Sequence, residues 1–162
     1  MSIDPLAYWN NKETRGAPDP WWVADDELCL IFEDHSNAGI GSSLDVTKAR
    51  QASTHPNWVR ANLTLSEEVQ IVPVLVTPVK VADGDALPHL GNVCLWRIDE
   101  FREWAKNALA VIRELRRTFP GSGDLRWREM AAHKYVENRM DPRSLVEWLK
   151  SQPAAQLLRP KD

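Results

Sequence analysis

Cysteine is scarce in this chain of 162 residues, which has only Cys29 and Cys94, far apart and outside any CxxC motif. A chain of this length buries roughly two-thirds of its unfolded surface, so it needs neither disulfides nor a structural metal to fold. We therefore expect both cysteines to be buried apolar residues in a reducing compartment. The four histidines and two cysteines also lack the spacings of a zinc site.

Long hydrophobic runs are absent as well. No uncharged apolar segment approaches the ~18–20 residues that a membrane-spanning helix requires. The first residues, MSIDPLAYWNNKE, lack the basic-then-apolar pattern of a secretory signal peptide. The sequence therefore predicts one globular domain with a cytoplasmic location and no membrane partner.

The net charge of −3 conceals a gradient along the chain. Residues 1–100 carry 7 basic and 15 acidic side chains, whereas residues 101–162 carry 13 and 8. A basic surface can hold a polyanion and an acidic surface can collect a divalent cation, although a solvated helical surface explains the same charges.

The spacing of apolar residues predicts a mixed α/β fold. After a short helix over residues 5–13, we expect a hairpin with strands at 21–23 and 27–33, followed by a helix at 45–54. His55-Pro56 is expected to interrupt that helix before it resumes at 57–61. Further strands are predicted at 69–76 and 93–96, and Pro73 places the first of them at a sheet edge or a bulge.

Beyond Asp99 the apolar spacing becomes helical. One helix is expected to end in the segment 119–123, a second to cover 125–136, and a third to cover 143–151 with Asp141 as its cap and Pro142 in its first turn. We divide the chain into an α/β core, 1–98, and a helical part that packs on it, 99–162. The abrupt start before the core indicates a domain excised from a larger protein.

Two acids converge in the predicted hairpin. With a turn centred on Asp26, paired residues have numbers that add up to 52, which places Asp19 opposite Glu33, ~5 Å apart at Cβ. Two close carboxylates repel each other unless a cation lies between them, and Mg²⁺ is the usual one. His35 lies on the same face as Glu33 and adds a nitrogen base.

In this arrangement the sequence resembles the PD-(D/E)XK, or restriction-endonuclease-like, nuclease superfamily. Pro18-Asp19, Glu33-Asp34-His35, the helix around residues 48–51 and the strand 69–76 follow one another as that family's elements do. The resemblance implies a restriction-endonuclease-like sandwich, with a central mixed β-sheet flanked by helices and a C-terminal helical extension. It also implies that Asp19 and Glu33 bind Mg²⁺ or Mn²⁺ for phosphodiester hydrolysis, and that the substrate is nucleic acid, with DNA expected ahead of RNA.

The chain departs from the family at His35, where the family has lysine. His35 is one substitute for that lysine, and Lys48 on the following helix is another, with Gln51 as a further assisting residue. The alternative is a catalytically inactive, nuclease-like scaffold that binds nucleic acid or a partner protein. A third possibility is a metal-dependent hydrolase with another substrate. Restriction-type cutting of both strands also raises the expectation of a homodimer.

Aromatic and basic residues supply the candidate contacts to nucleic acid. Trp58, just beyond the helix that carries Lys48, is expected to stack on a base. Most of the other tryptophans are expected in the core, namely Trp21, Trp22, Trp96, Trp104, Trp127 and Trp148. The densest basic stretch is expected to contact phosphates without reading sequence, through Arg113, Arg116, Arg117, Arg126 and Arg128.

Overall fold

The structure, a computed structural model, describes residues 17–24, 27–39, 41–121 and 123–158. It is an α/β fold with a mixed central sheet. The strands are β1 (Trp21–Ala24), β2 (Leu28–Asp34), β3 (Ser43–Leu44), β4 (Gln70–Thr77), β5 (Val81–Ala82) and β6 (Cys94–Arg97). The helices are α1 (Val46–Asn62), α2 (Ile98–Thr118), α3 (Leu125–Glu137) and α4 (Pro142–Lys150), with short 3₁₀ turns at Leu87–His89 and Ala154–Gln156.

The central sheet has the strand order β1-β2-β4-β6. β1 is antiparallel to β2, whereas β2, β4 and β6 run parallel to one another. A parallel pair needs a crossover connection, and α1 provides it between β2 and β4. The strands β3 and β5 form a separate two-stranded parallel ladder, which the sequence pattern does not predict.

The predicted hairpin register is confirmed. Trp21 pairs with Ile31 and Ala24 with Leu28, so the numbers of paired residues add up to 52. A backbone hydrogen bond from Phe32 N–H to Pro20 O continues the pairing beyond β1. The pairing therefore leads Asp19 toward Glu33, although the predicted turn at residues 25 and 26 lies outside the described residues, as does the predicted helix at 5–13.

Alternation along β2 separates the two faces of the sheet. Leu28, Leu30 and Phe32 join the core beneath α2 and α4. Cys29 and Ile31 face the side covered by α1, where Val59 packs against them. Glu33 continues this second set, so a carboxylate projects into the layer between the sheet and α1.

The prediction that His55-Pro56 interrupts the helix is wrong. The helix α1 continues from Val46 to Asn62 with Pro56 inside it. Asp45 fixes its start, because the Asp45 side chain accepts the Lys48 N–H at 2.9 Å. Proline removes one helical hydrogen bond, but His55 and Val59 on either side of Pro56 are both buried, and this packing holds the helix together.

The prediction that Pro73 marks an edge strand or a bulge is also wrong. The strand β4 lies inside the sheet, between β2 and β6. Pro73 pairs with Ile31 of β2, whereas pairing with β6 begins only at Val74. The missing N–H therefore costs the ladder no bond to β6.

Tryptophans build much of the other face. Trp96 is fully buried, and the rings of Phe101, Trp104 and Trp148 lie with their centroids 5.0, 5.2 and 5.7 Å from its own. Trp22 contradicts its predicted place in the core, because it is 40% exposed. Its strand β1 lies at the sheet edge, so a neighbouring strand covers it on one side only.

Several smaller predictions are confirmed. Cys29 and Cys94 are buried, free thiols. Asp141 caps α4 by accepting the Ser144 N–H at 3.0 Å, and Pro142 lies in the first turn of that helix. Within the described residues, none of the helices has the length and apolar character that crossing a bilayer requires.

Candidate functional site

Glu33 is the centre of the candidate site. It lies near the carboxyl end of β2 and is only 3% exposed. Its Oε1 accepts a hydrogen bond from Lys48 Nζ at 2.5 Å, and its Oε2 lies 2.7 Å from His55 Nε2. Because a buried carboxylate is costly unless it is paired, this Glu33–Lys48–His55 triad is what allows a charge to remain in the layer between sheet and helix.

Asp19 lies beside this triad. Its Oδ2 accepts the backbone N–H of Asp34 at 2.6 Å, and its own N–H donates to Phe32 O at 3.1 Å. These two bonds hold Asp19 against Phe32 and Asp34, the two residues that flank Glu33 in β2. The structure therefore brings Asp19, Glu33 and Lys48 together at the carboxyl end of the parallel strands, where ligands bind in open α/β sheets.

The two acids have opposite pKa shifts. Burial acts to raise the pKa of Glu33, but the hydrogen bonds from His55 and Lys48 outweigh it and hold that pKa below its usual range. Burial of the Asp19 carboxyl raises its pKa and the charge of Glu33 adds to this, while the bond from Asp34 N–H opposes it. The charge of Lys48 also acts to lower the pKa of Asp19, an exposed residue, but the raising effects prevail.

Lys48 is a cation in this site. Burial acts to lower the pKa of Lys48. The hydrogen bond to Glu33 and the charges of Glu33 and Asp19 outweigh that effect, so this pKa lies above its usual value. Its side chain is 32% exposed, so it reaches Glu33 from the solvent side. Lys48 can supply positive charge at neutral pH and has no tendency to act as a base there.

Among the described residues, no side-chain hydrogen bond joins the other predicted catalytic residues, His35 and Gln51, to Glu33 or Lys48. The His35 N–H donates to Val76 O at 2.9 Å, and its ring Nδ1 lies 3.4 Å from Thr77 Oγ1. Gln51 projects from α1, and its Oε1 is buried with no hydrogen-bond partner among the described residues. Roles for His35 and Gln51 in catalysis stay predictions.

His55 belongs to the site although sequence reasoning did not select it. It is 2% exposed, and its Nδ1 has no partner within the described part of the chain. Lys48, Gln51 and His55 are spaced i, i+3 and i+7, which is one face of a helix. That spacing was the available signal, and the expected helix break at His55-Pro56 concealed it.

The predicted nucleic-acid contacts are Trp58 on α1 and five arginines on α2 and α3. Trp58 is half-buried, and its ring centroid lies 6.0 Å from that of Trp21. Arg113 lies fifteen residues after the start of α2, about 22 Å along the helix axis. All five basic residues are exposed, namely Arg113, Arg116, Arg117, Arg126 and Arg128. Their role in phosphate binding stays a prediction.

Asp19 and Glu33 are the candidate ligands for a cation in this site. Within the described ranges, no group of three or more His, Cys, Asp or Glu side chains is arranged to hold a metal. Mg²⁺ is commonly bound by one or two carboxylates and keeps several waters, so Asp19 and Glu33 Oε1 suffice in number and in kind. A cation would have to share Glu33 Oε1 with Lys48 or displace Lys48 from it. The Lys48 side chain is 32% exposed, so it has room to move on the solvent side.

Comparison of the chain with protein-family models, curated proteins and solved structures found no match. The function is therefore inferred from the site itself.

Proposed function

We propose that this protein is a metal-dependent nuclease domain that hydrolyses phosphodiester bonds, with Asp19 and Glu33 as ligands of Mg²⁺ or Mn²⁺. The observation that carries the proposal is the convergence of two acids and one lysine at the carboxyl end of β2. Lys48 Nζ lies 2.5 Å from Glu33 Oε1, and Asp19 is bonded to the residue that follows Glu33. This set supports the resemblance to the PD-(D/E)XK nucleases, with Lys48 in the role of the missing family lysine.

The roles of the residues follow from their charges. A bound divalent cation would lower the pKa of a water and stabilise negative charge on a phosphate oxygen. Asp19 and Glu33 would orient that cation, and the Lys48 ammonium would neutralise the charge that develops on the phosphate. The oxygen of water forms the new bond to phosphorus while the P–O bond to the leaving alkoxide breaks. The attacking water loses a proton to solvent, and the alkoxide takes one up from solvent.

The test is a plasmid-nicking assay with Mg²⁺ and with Mn²⁺. Asp19→Asn and Glu33→Gln should each lower the nicking rate by about 100-fold or more, since metal stabilisation of the transition state amounts to several kcal/mol. Glu68→Gln, which changes an exposed acid outside the site, should cut at the unaltered rate. Equal nicking by all four proteins would contradict the proposal.

A second pair of variants separates the two candidates for the missing family lysine. Lys48→Met should abolish nicking, whereas His35→Ala should leave it within a few-fold of the unaltered rate, because the ammonium contacts Glu33 and His35 contacts Thr77. The reverse result would assign the role to His35.

One observation favours the inactive scaffold as a second candidate. Both carboxylate oxygens of Glu33 already have partners, Lys48 and His55, so the acid is neutralised without a metal. The scaffold predicts no heat of binding when Mn²⁺ is titrated into the protein by calorimetry, and an intact plasmid. The nuclease predicts Mn²⁺ binding that Asp19→Asn abolishes.

A further inference from the structure

A small aromatic cavity lies on the opposite face of the sheet, at the same edge as the candidate site. Its volume is about 180 Å³. Trp22, Phe32 and Phe101 supply its aromatic wall, and Asp34 and Ser36 supply polar groups. None of these five residues has a role in the proposed hydrolysis.

Trp22 gives this cavity an accessible ring. It is 40% exposed, while Phe32 behind it is buried, with the two ring centroids 4.5 Å apart. The ring of Trp104 lies 6.4 Å away at an interplanar angle of 28°. Trp22 is therefore held by other aromatic rings and still presents surface to solvent, as a stacking platform requires.

The cavity and the candidate metal ligands are joined by one hydrogen bond. Asp34 lines the cavity, and its backbone N–H donates to Asp19 Oδ2 at 2.6 Å. Pro20, another lining residue, directly follows Asp19. The chain segments that carry the candidate metal ligands therefore also line the cavity.

The chemistry of the cavity selects the kind of ligand. The cavity opens to solvent, so a flat ring can enter it and lie against the aromatic wall. The wall is apolar and aromatic, and the exposed carboxylate of Asp34 repels anions and accepts hydrogen bonds from amino groups. The complementary ligand is a flat ring with an amino group at its edge.

We propose that this cavity, the Trp22 pocket, binds one unstacked nucleobase of the substrate strand and favours a base with an exocyclic amino group. The inference rests on the proposed nuclease function and adds substrate selection to it. A base reaches the pocket only when it is unpaired, so the protein should prefer single strands or distorted duplexes to regular duplex DNA.

Binding can be measured without cutting. Fluorescence anisotropy with short single-stranded oligo(dC) and oligo(dT), with Ca²⁺ in place of Mg²⁺, gives the dissociation constants. Trp22→Ala should weaken oligo(dC) binding about tenfold or more, and Trp22→Phe should largely retain it. Asp34→Asn should reduce the preference for oligo(dC) over oligo(dT) while leaving a carbonyl oxygen to accept the Ser36 N–H. Tyr135→Ala, which removes a similarly exposed ring from α3, should bind like the unaltered protein.

The outcomes distinguish the pocket from the proposed function. If Trp22→Ala and Asp34→Asn bind both oligonucleotides as the unaltered protein does, the Trp22 pocket is overturned, and metal-dependent nicking decides the nuclease separately. If Trp22→Ala instead converts a dimer into a monomer in sedimentation, the pocket holds a second copy of the chain, and the assignment is overturned. Melting curves of all variants identify any loss that comes from unfolding, and Asp34→Asn, an isosteric surface change, then still tests the base preference.

Discussion

Replacing His55 by leucine tests whether the buried triad is an energetic unit. The side chains of His55 and Glu33 are 2% and 4% exposed, and they meet at 2.7 Å. The substitution places an apolar side chain of similar size in α1 and leaves Glu33 Oε2 buried without a donor. Leaving a buried polar group without its partner typically costs about 1–3 kcal/mol, and more when that group is charged. Because Glu33 is charged but Lys48 still holds Oε1, we expect a loss of about 3 kcal/mol of unfolding free energy.

The assay is thermal and urea unfolding of the metal-free protein at neutral pH. For a chain of this size, about 3 kcal/mol lowers the melting temperature by about 6–12 °C. His55→Gln should recover most of the loss, because its amide nitrogen can replace Nε2 as the donor to Glu33. The matched control is His133→Leu, which breaks a His133–Glu137 pair with side chains 82% and 64% exposed and should cost about 1 kcal/mol or less.

A double variant separates the effect of the buried Glu33 charge from the effect of packing. With Glu33→Gln added, the buried charge is gone, so His55→Leu should cost at least about 1 kcal/mol less than it does beside the intact Glu33. Equal costs in the two backgrounds would show that His55 stabilises α1 by packing alone. A cost below about 1 kcal/mol in the unaltered background would show that Glu33 Oε2 finds another donor, and the triad would not be an energetic unit.

Three further predictions concern other residues. Because the pKa of Asp19 is raised, its stabilising contribution is present below its usual pKa of ~3.9 and is lost as pH rises through the raised value. Asp19→Asn should therefore raise the melting temperature at pH 7 and lose this advantage below pH ~4. Burial raises the pKa of the Cys29 thiol to about 11, so a thiol reagent should label it only on unfolding, and rapid labelling of folded protein would contradict this. If α2 binds duplex DNA phosphates, replacing three arginines by alanine should reduce the slope of log K against log salt by about 2–3, and an unchanged slope would exclude Arg113, Arg116 and Arg117.

Local patterns predicted those parts of the fold that depend on local geometry. The register that brings Asp19 to Glu33 follows from a turn position and from alternation, and both are readable in the sequence. The cap at Asp141 follows from the residue types that satisfy free N–H groups at a helix start. The burial of Cys29 and Cys94 follows from their apolar neighbours.

Tertiary context decided the remainder. Pro73 disfavours an inner strand locally, but the register with β6 begins one residue later, and no sequence rule contains that offset. Pro56 disfavours a continuous helix, but burial of His55 on the sheet outweighs the lost hydrogen bond. Trp22 is a large aromatic residue of the kind expected in a core. Only the sheet order, which places β1 at the edge, explains its exposure.

The difference between the two acids bears on the choice between nuclease and scaffold. Glu33 is neutralised by Lys48 and His55, so a purely structural role explains it fully. Asp19 is different. Burial and the charge of Glu33 raise its pKa, and its side chain accepts one hydrogen bond, from the Asp34 N–H. Lys48 offsets part of this effect, and asparagine at position 19 would keep an acceptor for the hydrogen bond without the charge. A cation shared with Glu33 would lower the pKa of Asp19, because it stabilises the charged carboxylate. Asp19, more than the well-paired Glu33, is therefore the residue whose chemistry favours a metal-binding nuclease over a scaffold.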